Sequence, residues 1–331
     1  MPTIHFDNLS HELQGNESVL ECLLRNGHAV PNSCRAGACQ ACLVRSSKGR
    51  PSIVSSQSLK STLAAQGYFL SCMCHPEEDL NVELAGAGVR IAGTILSVSP
   101  LSKDVALVRV QAPADFDYRA GQYVTLVRED GLARSYSIAS LPGASLPSAD
   151  EGVLDLHVRR IPGGVLSNWL HDAHPGKAIQ LQGPAGGCFY ADVPTAQPLL
   201  LAGTGTGLAP LYGILQDALR QKHSGQIWLF HGALTPQGLY LQQELRDLAQ
   251  LHSNFHYVPA VLNHDATCVD EIRTGRLEDV ILQSHPKLAG WRGFVCGDPG
   301  IVSTLKTKFF LAGMPSREIF ADAFLPSTSS P

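Results

Sequence analysis

The chain has 331 residues, 44% of them hydrophobic and 16% charged, with a formal net charge of −4. That length predicts two to three domains, each able to bury its own core. The mild acidity leaves no basic footprint for nucleic acid, and no apolar run approaches the ~18 residues that a membrane helix needs. Residues Met1 to Gln14 are mixed polar and lack a secretory pattern. Nine cysteines is an odd number, in a chain too long to read as a secreted disulfide framework. A cytoplasmic monomer that neither enters a membrane nor binds nucleic acid is expected.

The first unit spans residues 1–86. Thr3 to Asp7 alternates like a strand, and Ser18 to Asn26 reads as a short helix with Val19, Leu20, Leu23 and Leu24 on its apolar face and Gly27 as its stop. Cys22 lies in that helix and reads as a small core residue. Cys34, Cys39 and Cys42 follow in a loop of small side chains, Cys34-Arg35-Ala36-Gly37-Ala38-Cys39-Gln40-Ala41-Cys42, and Cys72 comes 30 positions after Cys42. This is the spacing of a plant-type [2Fe–2S] site, in which four thiolates hold two irons. Small residues let backbone N–H groups approach the negative sulfurs, and a bulky side chain at Ala36, Gly37 or Ala38 would hold the peptide off. The competing reading is a zinc site that takes Cys72 and Cys74 as its second pair. Ala85-Gly86-Ala87-Gly88 reads as a hinge-like linker.

The second unit, 89–194, is strand-rich: Ile91 to Val98, Val105 to Gln111, Tyr123 to Val127, Val153 to Arg159 and Ala178 to Gln182. Short strands with turn residues between them and few helical stretches suggest a small antiparallel barrel. Arg134-Ser135-Tyr136-Ser137 follows Gly121-Gln122-Tyr123, and alternation puts Arg134 and Tyr136 on one side and Ser135 and Ser137 on the other. An arginine can clamp a phosphate and a tyrosine can stack on a flat ring. Gly163-Gly164-Val165-Leu166-Ser167 opens a helix whose free N–H groups would suit a pyrophosphate. Singly, these read as a surface charge, a core aromatic and a turn; the two motifs together in one barrel are more telling than either.

The third unit, 196–331, alternates strands (Pro198 to Ala202, Gln226 to His231, Phe255 to Val261, Gly293 to Cys296, Glu318 to Phe320) with helical patterns. That predicts a doubly wound parallel sheet, which binds ligands at the carboxyl ends of its strands. Its first strand runs into Gly203-Thr204-Gly205-Thr206-Gly207-Leu208-Ala209-Pro210, a glycine-rich loop with Leu208 where the common dinucleotide fingerprint differs, and Pro210 in the first helical turn. A second strand end, Cys296-Gly297-Asp298-Pro299, brings a thiol to the same edge. None of the histidines has metal-ligand spacing, and His75, His171 and His174 read as solvated.

Taken in order, the Cys34/Cys39/Cys42/Cys72 set, Arg134 to Ser137, Gly163 to Ser167, Gly203 to Pro210 and Cys296 to Pro299 resemble the ferredoxin–flavin–NAD reductase components of bacterial multicomponent oxygenases, within the ferredoxin-NADP reductase superfamily. The resemblance covers essentially the whole chain. It implies a multidomain α+β and α/β protein with a ferredoxin β-grasp domain, a flavin-binding barrel and an NAD-binding domain, holding a [2Fe–2S] cluster, FAD and NAD(H). By the same resemblance, Arg134 would hold flavin phosphate with Ser135 beside it, Tyr136 would pack on the isoalloxazine, and Ser137 would bond near its reactive nitrogen. Gly163 to Ser167 would cradle the FAD pyrophosphate, Thr204 to Pro210 would receive the NADH phosphates, Cys296 would line the nicotinamide pocket, and Phe324 would shield the flavin ring. Leu234 stands where many of the family carry Arg, which implies NADH over NADPH. Electrons would run from NADH to FAD to the cluster and out to an oxygenase that docks over the Cys34–Cys42 loop. Other acceptors within this reading are an iron–sulfur dehydratase for deoxysugars, or free flavin and ferric iron; a redox sensor is the non-enzymatic rival.

Overall fold

The computed structural model describes residues 2–86, 89–143, 152–191, 193–263 and 271–325. The first unit is a mixed sheet with a helix on it. It contains β1 (Thr3–Phe6), β2 (Leu9–Glu12), α1 (Val19–Arg25), β3 (Leu43–Lys48), α2 (Ser61–Ala65), β4 (Tyr68–Leu70) and β5 (Leu80–Leu84). The strand order is β2-β1-β5-β3-β4, with β1 and β5 parallel. This is a β-grasp arrangement, and Leu20, Leu23, Ile4, Phe69 and Leu80 form its core. Helix α1 starts where the sequence offers a capping box: Glu21 N–H reaches Ser18 Oγ at 3.3 Å, and Ser18 N–H reaches the Glu21 carboxylate at 2.8 Å. Val19 N–H then donates to the Cys74 carbonyl at 2.9 Å, which ties the helix start to the segment carrying Cys72.

The second unit contains β6 (Arg90–Pro100), β7 (Val105–Gln111), β8 (Tyr123–Val127), β9 (Ala133–Ser137), β10 (Val153–Arg159), α3 (Val165–His171) and β11 (Ala178–Ala185). Its antiparallel order is β10-β7-β6-β11-β8-β9, and a bridge between Ile138 and Leu156 joins the two edges into a barrel. Closure of this kind protects strand edges that would otherwise pair with other chains.

The third unit contains β12 (Leu199–Thr204), α4 (Leu208–Arg220), β13 (Ile227–Ala233), α5 (Gln242–Leu251), β14 (Phe255–Val261), β15 (Arg273–Thr274), α6 (Leu277–Ser284), β16 (Arg292–Gly297), α7 (Pro299–Leu311) and β17 (Ile319–Ala323). All are parallel, in the order β15-β14-β13-β12-β16-β17. Along β12, Leu199 and Leu201 enter one apolar layer while Leu200 and Ala202 enter the other, so both faces are covered. The chain leaves β12 toward β13 on one side and returns to β16 on the other. The crevice where that order reverses is where such sheets take ligands.

Two expectations change. Ala85, read as hinge, is buried against the first core, and residues 87–88 of that stretch lie outside the described ones. His171, read as solvated, is half-buried with Nε2 at 2.8 Å from the Val158 carbonyl. Replacing Ser18 by Ala should remove the cap and cost about 1 kcal/mol, read from denaturant unfolding of the first unit followed at its visible absorbance.

Candidate electron-transfer site

The loop carrying Cys34, Cys39 and Cys42 turns through left-handed backbone at Arg35, Gly37 and Gln40, with φ of 50°, 73° and 56°. These turns aim N–H groups inward. Ala36 and Cys39 N–H reach Cys34 Sγ at 3.4 and 3.3 Å, and Cys34 N–H reaches Cys39 Sγ at 3.4 Å. Cys42 and Cys72 lie with their sulfurs 3.2 Å apart. The four thiols therefore fall into two pairs, 34/39 and 42/72, which fits one pair on each iron of a binuclear cluster. The Cys39 thiol, together with the N–H groups of Cys39, Ala36 and Ala38, pulls the Cys34 thiol down to about 5, toward the thiolate that a ligand must be. Cys74 does not join them. It is buried in the core with Ser52 and Ser55 against its sulfur, and burial pushes its thiol up. The Cys72/Cys74 pair of the zinc reading does not form.

The same loop lies on the barrel. Tyr123 donates its hydroxyl to the Ala38 carbonyl at 2.5 Å, and Thr125 donates to the Cys39 carbonyl at 2.9 Å. Gln182 donates its side-chain amide to the Gln40 carbonyl. Tyr123 and Thr125 are two apart on β8 and so share a face, and Gln182 on β11 is the register partner of Thr125. Ala41 and Cys39 pack on Val127 and Ala133 beside them.

On β9, Tyr136 packs onto the barrel core, while Ser135 Oγ lies 2.9 Å from Thr125 Oγ1 and backs the ferredoxin contact. The Arg134 guanidinium is half-buried, with the Ala133 carbonyl as a partner at 2.6 Å. Gly164 caps α3, and a Cβ there would meet Ser167 Oγ at 2.6 Å and the Ile161 carbonyl at 3.0 Å. Gly163 beside it has φ of 71°, so this turn needs its glycines. Val165 is exposed, Leu166 is a barrel core residue, and Ser167 receives Ile161 N–H at 3.3 Å. A guanidinium still able to take an anion and a turn kept open by glycine suit a flavin phosphate chain.

Ser137 donates from Oγ to Asp322 Oδ2 at 3.3 Å, across to β17 of the third unit. Burial pushes the Asp322 carboxyl up to about 6, against the lowering effect of Ser137. A concavity of about 250 Å³ lies at this junction, lined by Ala38, Tyr123, Cys188 and Asp322 among others, so all three units meet around it. A larger one, about 540 Å³, lies past the carboxyl end of α3 at Trp169 and Asp172–Lys177, away from Gly164.

The ends of β12 and β16 interlock. A Cβ at Gly207 would overlap the Cys296 carbonyl, and one at Gly203 would sit 2.9 Å from it. Thr204 and Thr206 stay half-exposed, whereas Leu208 and Pro210 are buried, so within Gly203 to Pro210 it is the threonines that face outward. The Asp298 carboxylate accepts Gly300 and Ile301 N–H at 2.9 and 3.2 Å and starts α7, with Pro299 at its first position. Arg159, at the end of β10, reaches over Gly205, whose missing side chain makes room for the guanidinium. Its Nε is buried without a hydrogen-bond partner among the described residues, and Asp104 lies 3.8 Å off. Such a cation on a glycine-rich loop fits a nucleotide phosphate. His231 beneath it is held neutral, near 3, by burial and then by Arg159. Cys296 is buried, 3.5 Å from Cys188 Sγ, and Phe324 N–H donates to the Gly297 carbonyl at 2.8 Å.

Sequence reasoning gave no site role to Tyr123, Arg159, Gln182 or Asp322, though each lies in or beside a stretch it named, and did not reach Cys188. Asp322 had a signal, a single acid inside an otherwise apolar strand end; Cys188 and Gln182 had none.

A paired-thiol loop, a barrel with an arginine and a glycine turn, and a parallel sheet with a glycine-rich crevice define an iron–sulfur flavoprotein that handles a pyridine nucleotide. Residues 5–77 match the 2Fe-2S iron-sulfur cluster binding domain, 93–190 the oxidoreductase FAD-binding domain and 201–307 the oxidoreductase NAD-binding domain. The chain is 32% identical to the ferredoxin–NAD(P)+ reductase component of the naphthalene 1,2-dioxygenase system of Pseudomonas putida, covering 93% of this chain and 94% of that one. It is 31% identical to the aromatic O-demethylase reductase subunit of an Amycolatopsis species, over 96% of each. The crystal structure of the Amycolatopsis cytochrome P450 reductase GcoB superposes with a TM-score of 0.69 at 29% identity, covering 98% of this chain and 99% of that one. The chain belongs to the ferredoxin-NADP reductase family, in the branch of reductase components with a [2Fe–2S] domain. Its cofactors are a [2Fe–2S] cluster, FAD and NAD(H).

Cys72→Ser should abolish the visible iron–sulfur bands of the purified protein, while Cys74→Ser should keep them with unchanged iron content. Asp322 has a folded pKa above its unfolded value near 4, so ionising it costs stability, a cost absent below pH ~4 and complete above the folded value of about 6. Asp322→Asn should therefore raise Tm at pH 8 more than at pH 5, measured by calorimetry at both.

Proposed function

We propose that this chain is the NADH-dependent reductase component of a multicomponent oxygenase. When bound, FAD accepts a hydride's two electrons together and releases them singly, and the cluster carries one at a time. The residues of the chain place and protect those steps. Arg134 and the Gly163–Ser167 turn hold the flavin phosphates, Tyr136 packs on the ring, and Ser137, oriented by Asp322, bonds at its reactive edge. Thr204, Thr206 and the glycines between them receive the nucleotide phosphates with Arg159, Cys296 lines the nicotinamide pocket, and Phe324 covers the flavin. Ser135 steadies Thr125 beneath the ferredoxin contact.

The observation that carries this reading is the junction itself. Ala38 of the cluster loop, Tyr123 of the barrel and Asp322 of the nucleotide sheet line one concavity. The units also share apolar contacts there, and the convergence of their chemistry-bearing ends on one concavity suits a route for electrons.

The expected docking face narrows. The carbonyls of Ala38 to Gln40 and the Ala41 side chain are turned to the barrel, while Ala36 and Ala38 stay exposed, so an acceptor reaches the cluster over those two residues, with Ile53 and Val54 at 80% and 55% exposure in the same unit. No helix among the described residues is long and apolar enough to cross a membrane, and we place the protein in the cytoplasm as a monomer. Leu234, 69% exposed at the end of β13, offers no charge to a ribose 2′-phosphate, hence NADH over NADPH. A dehydratase reductase is the second reading: the CDP-6-deoxy-L-threo-D-glycero-4-hexulose-3-dehydrase reductase of Yersinia pestis is 26% identical over 98% of both chains.

Anaerobic addition of NADH to the holoprotein should bleach the flavin and cluster bands, with NADPH at least ~10-fold less efficient in kcat/KM. Adding a purified Rieske-type or haem oxygenase component should then reoxidise the cluster. Reoxidation by a dehydratase component and by no oxygenase would overturn the acceptor assignment.

A further inference from the structure

The cluster loop and the barrel meet through hydrogen bonds of a particular kind. Tyr123 and Gln182 do not touch sulfur. Each donates to a peptide carbonyl, and the N–H of that same peptide points at a cysteine ligand. Tyr123 Oη donates to the Ala38 carbonyl at 2.5 Å, and the N–H on the other side of that peptide, Cys39 N–H, reaches Cys34 Sγ at 3.3 Å. Gln182 Nε2 donates to the Gln40 carbonyl, and the next N–H, that of Ala41, is bonded to Cys39 Sγ. Both routes end on the 34/39 pair.

A donor on a carbonyl draws electron density through the amide and makes its N–H a stronger donor. In linked chains each bond strengthens the next by roughly 10–30%. Gln182 is 5% exposed, so water does little to screen its relay, while the Tyr123–Ala38 bond lies nearer solvent. Stronger N–H···S bonds stabilise the cluster more when it carries the extra electron, because more negative sulfur accepts more strongly.

We propose that the flavin barrel raises the reduction potential of the neighbouring cluster through two peptide relays, Tyr123 through the Ala38–Cys39 amide to Cys34, and Gln182 through the Gln40–Ala41 amide to Cys39. The two residues are positioning residues. They touch neither substrate nor reacting atoms, yet they make the ferredoxin unit a better electron acceptor when it is seated on its donor than when it is not. Coupling is reciprocal, so an electron on the cluster tightens the seating. The inference rests on the assignment of the four cysteines as ligands.

Thr125 supplies the control. Its hydroxyl holds the Cys39 carbonyl at 2.9 Å, in the same contact patch, and the N–H of that peptide, on Gln40, bonds to no cysteine sulfur among the described residues. The experiment is an EPR-monitored redox titration of the cluster in holoenzyme, comparing wild type with Tyr123→Phe, Gln182→Leu and Thr125→Val. Two of these remove only a hydroxyl or exchange it for a methyl, so the fold is retained.

The relay predicts that Tyr123→Phe and Gln182→Leu each shift the equilibrium about threefold toward the oxidised cluster, a potential lower by roughly 28 mV at 59 mV per tenfold for one electron. Thr125→Val should shift it by less than half of that. Equal shifts in all three variants would mean that loosened docking, not the relay, moves the potential, and would overturn the proposal. So would Tyr123→Phe and Gln182→Leu at the wild-type value. A wild-type protein with no [2Fe–2S] signal after reduction would instead remove the ligand assignment underneath.

Discussion

A cluster loop that turns its N–H groups inward to sulfur must turn carbonyls outward, because each peptide carries both. In this protein the left-handed residues Arg35, Gly37 and Gln40 impose that inversion. The outward carbonyls of Ala38, Cys39 and Gln40 then need donors wherever the loop is covered. The barrel supplies them from Tyr123, Thr125 and Gln182. The Ala38 bond is exposed and the Gln40 carbonyl also takes Leu43 N–H at 3.2 Å, so the Cys39 carbonyl depends most on the barrel: buried without Thr125 it would cost about 1–3 kcal/mol. The placement of the cluster beside the flavin elements follows from amide chemistry before any surface complementarity is considered.

The other end of the route is fixed by close backbone approach rather than by donors. Strands β12 and β16 meet at Gly203, Gly207 and Cys296 with no room for side chains between them. That contact sets the crevice at the switch point of the sheet and leaves Thr204 and Thr206 as its outward polar groups. The cation that completes it, Arg159, comes from the barrel. On the proposed function the nucleotide site would therefore be shared between units, and neither would build it alone.

Much of the fold was legible because it rests on local periodicity. Val105 to Gln111, Tyr123 to Val127, Val153 to Arg159 and Phe255 to Val261 are strands at the expected bounds, since alternation and bounding turn residues lie within each stretch. Ser18 and Gly27 mark α1 for the same reason. The set of four thiols was legible because three of them fall within nine residues, though how they pair was not. What was not legible is contact between units. Tyr123 to Ala38 spans 85 positions, Cys188 to Cys296 spans 108, Gln182 to Gln40 spans 142, and Ser137 to Asp322 spans 185. No spacing rule reaches that far. Within the glycine-rich loop, the exposure of Thr206 and the burial of Pro210 depend on how β16 lies against it, which the loop's own residues do not encode.

The junction also explains why its acid is tolerable. Asp322 lies in a partly buried strand end beside a site for electron-rich cofactors, where a full negative charge is unwelcome. Burial holds its carboxyl near 6, so at neutral pH it is mostly ionised but little more than a pH unit from taking a proton, and Ser137 is the donor at hand to steady the charge. The Ser137 hydroxyl is thereby turned toward β17 and fixed in direction by an element of another unit. A hydroxyl on an isolated barrel strand would rotate freely. One held across two units reports on whether they are closed, so the same bond that orients it also couples the seating of the parallel sheet to strand β9 of the barrel.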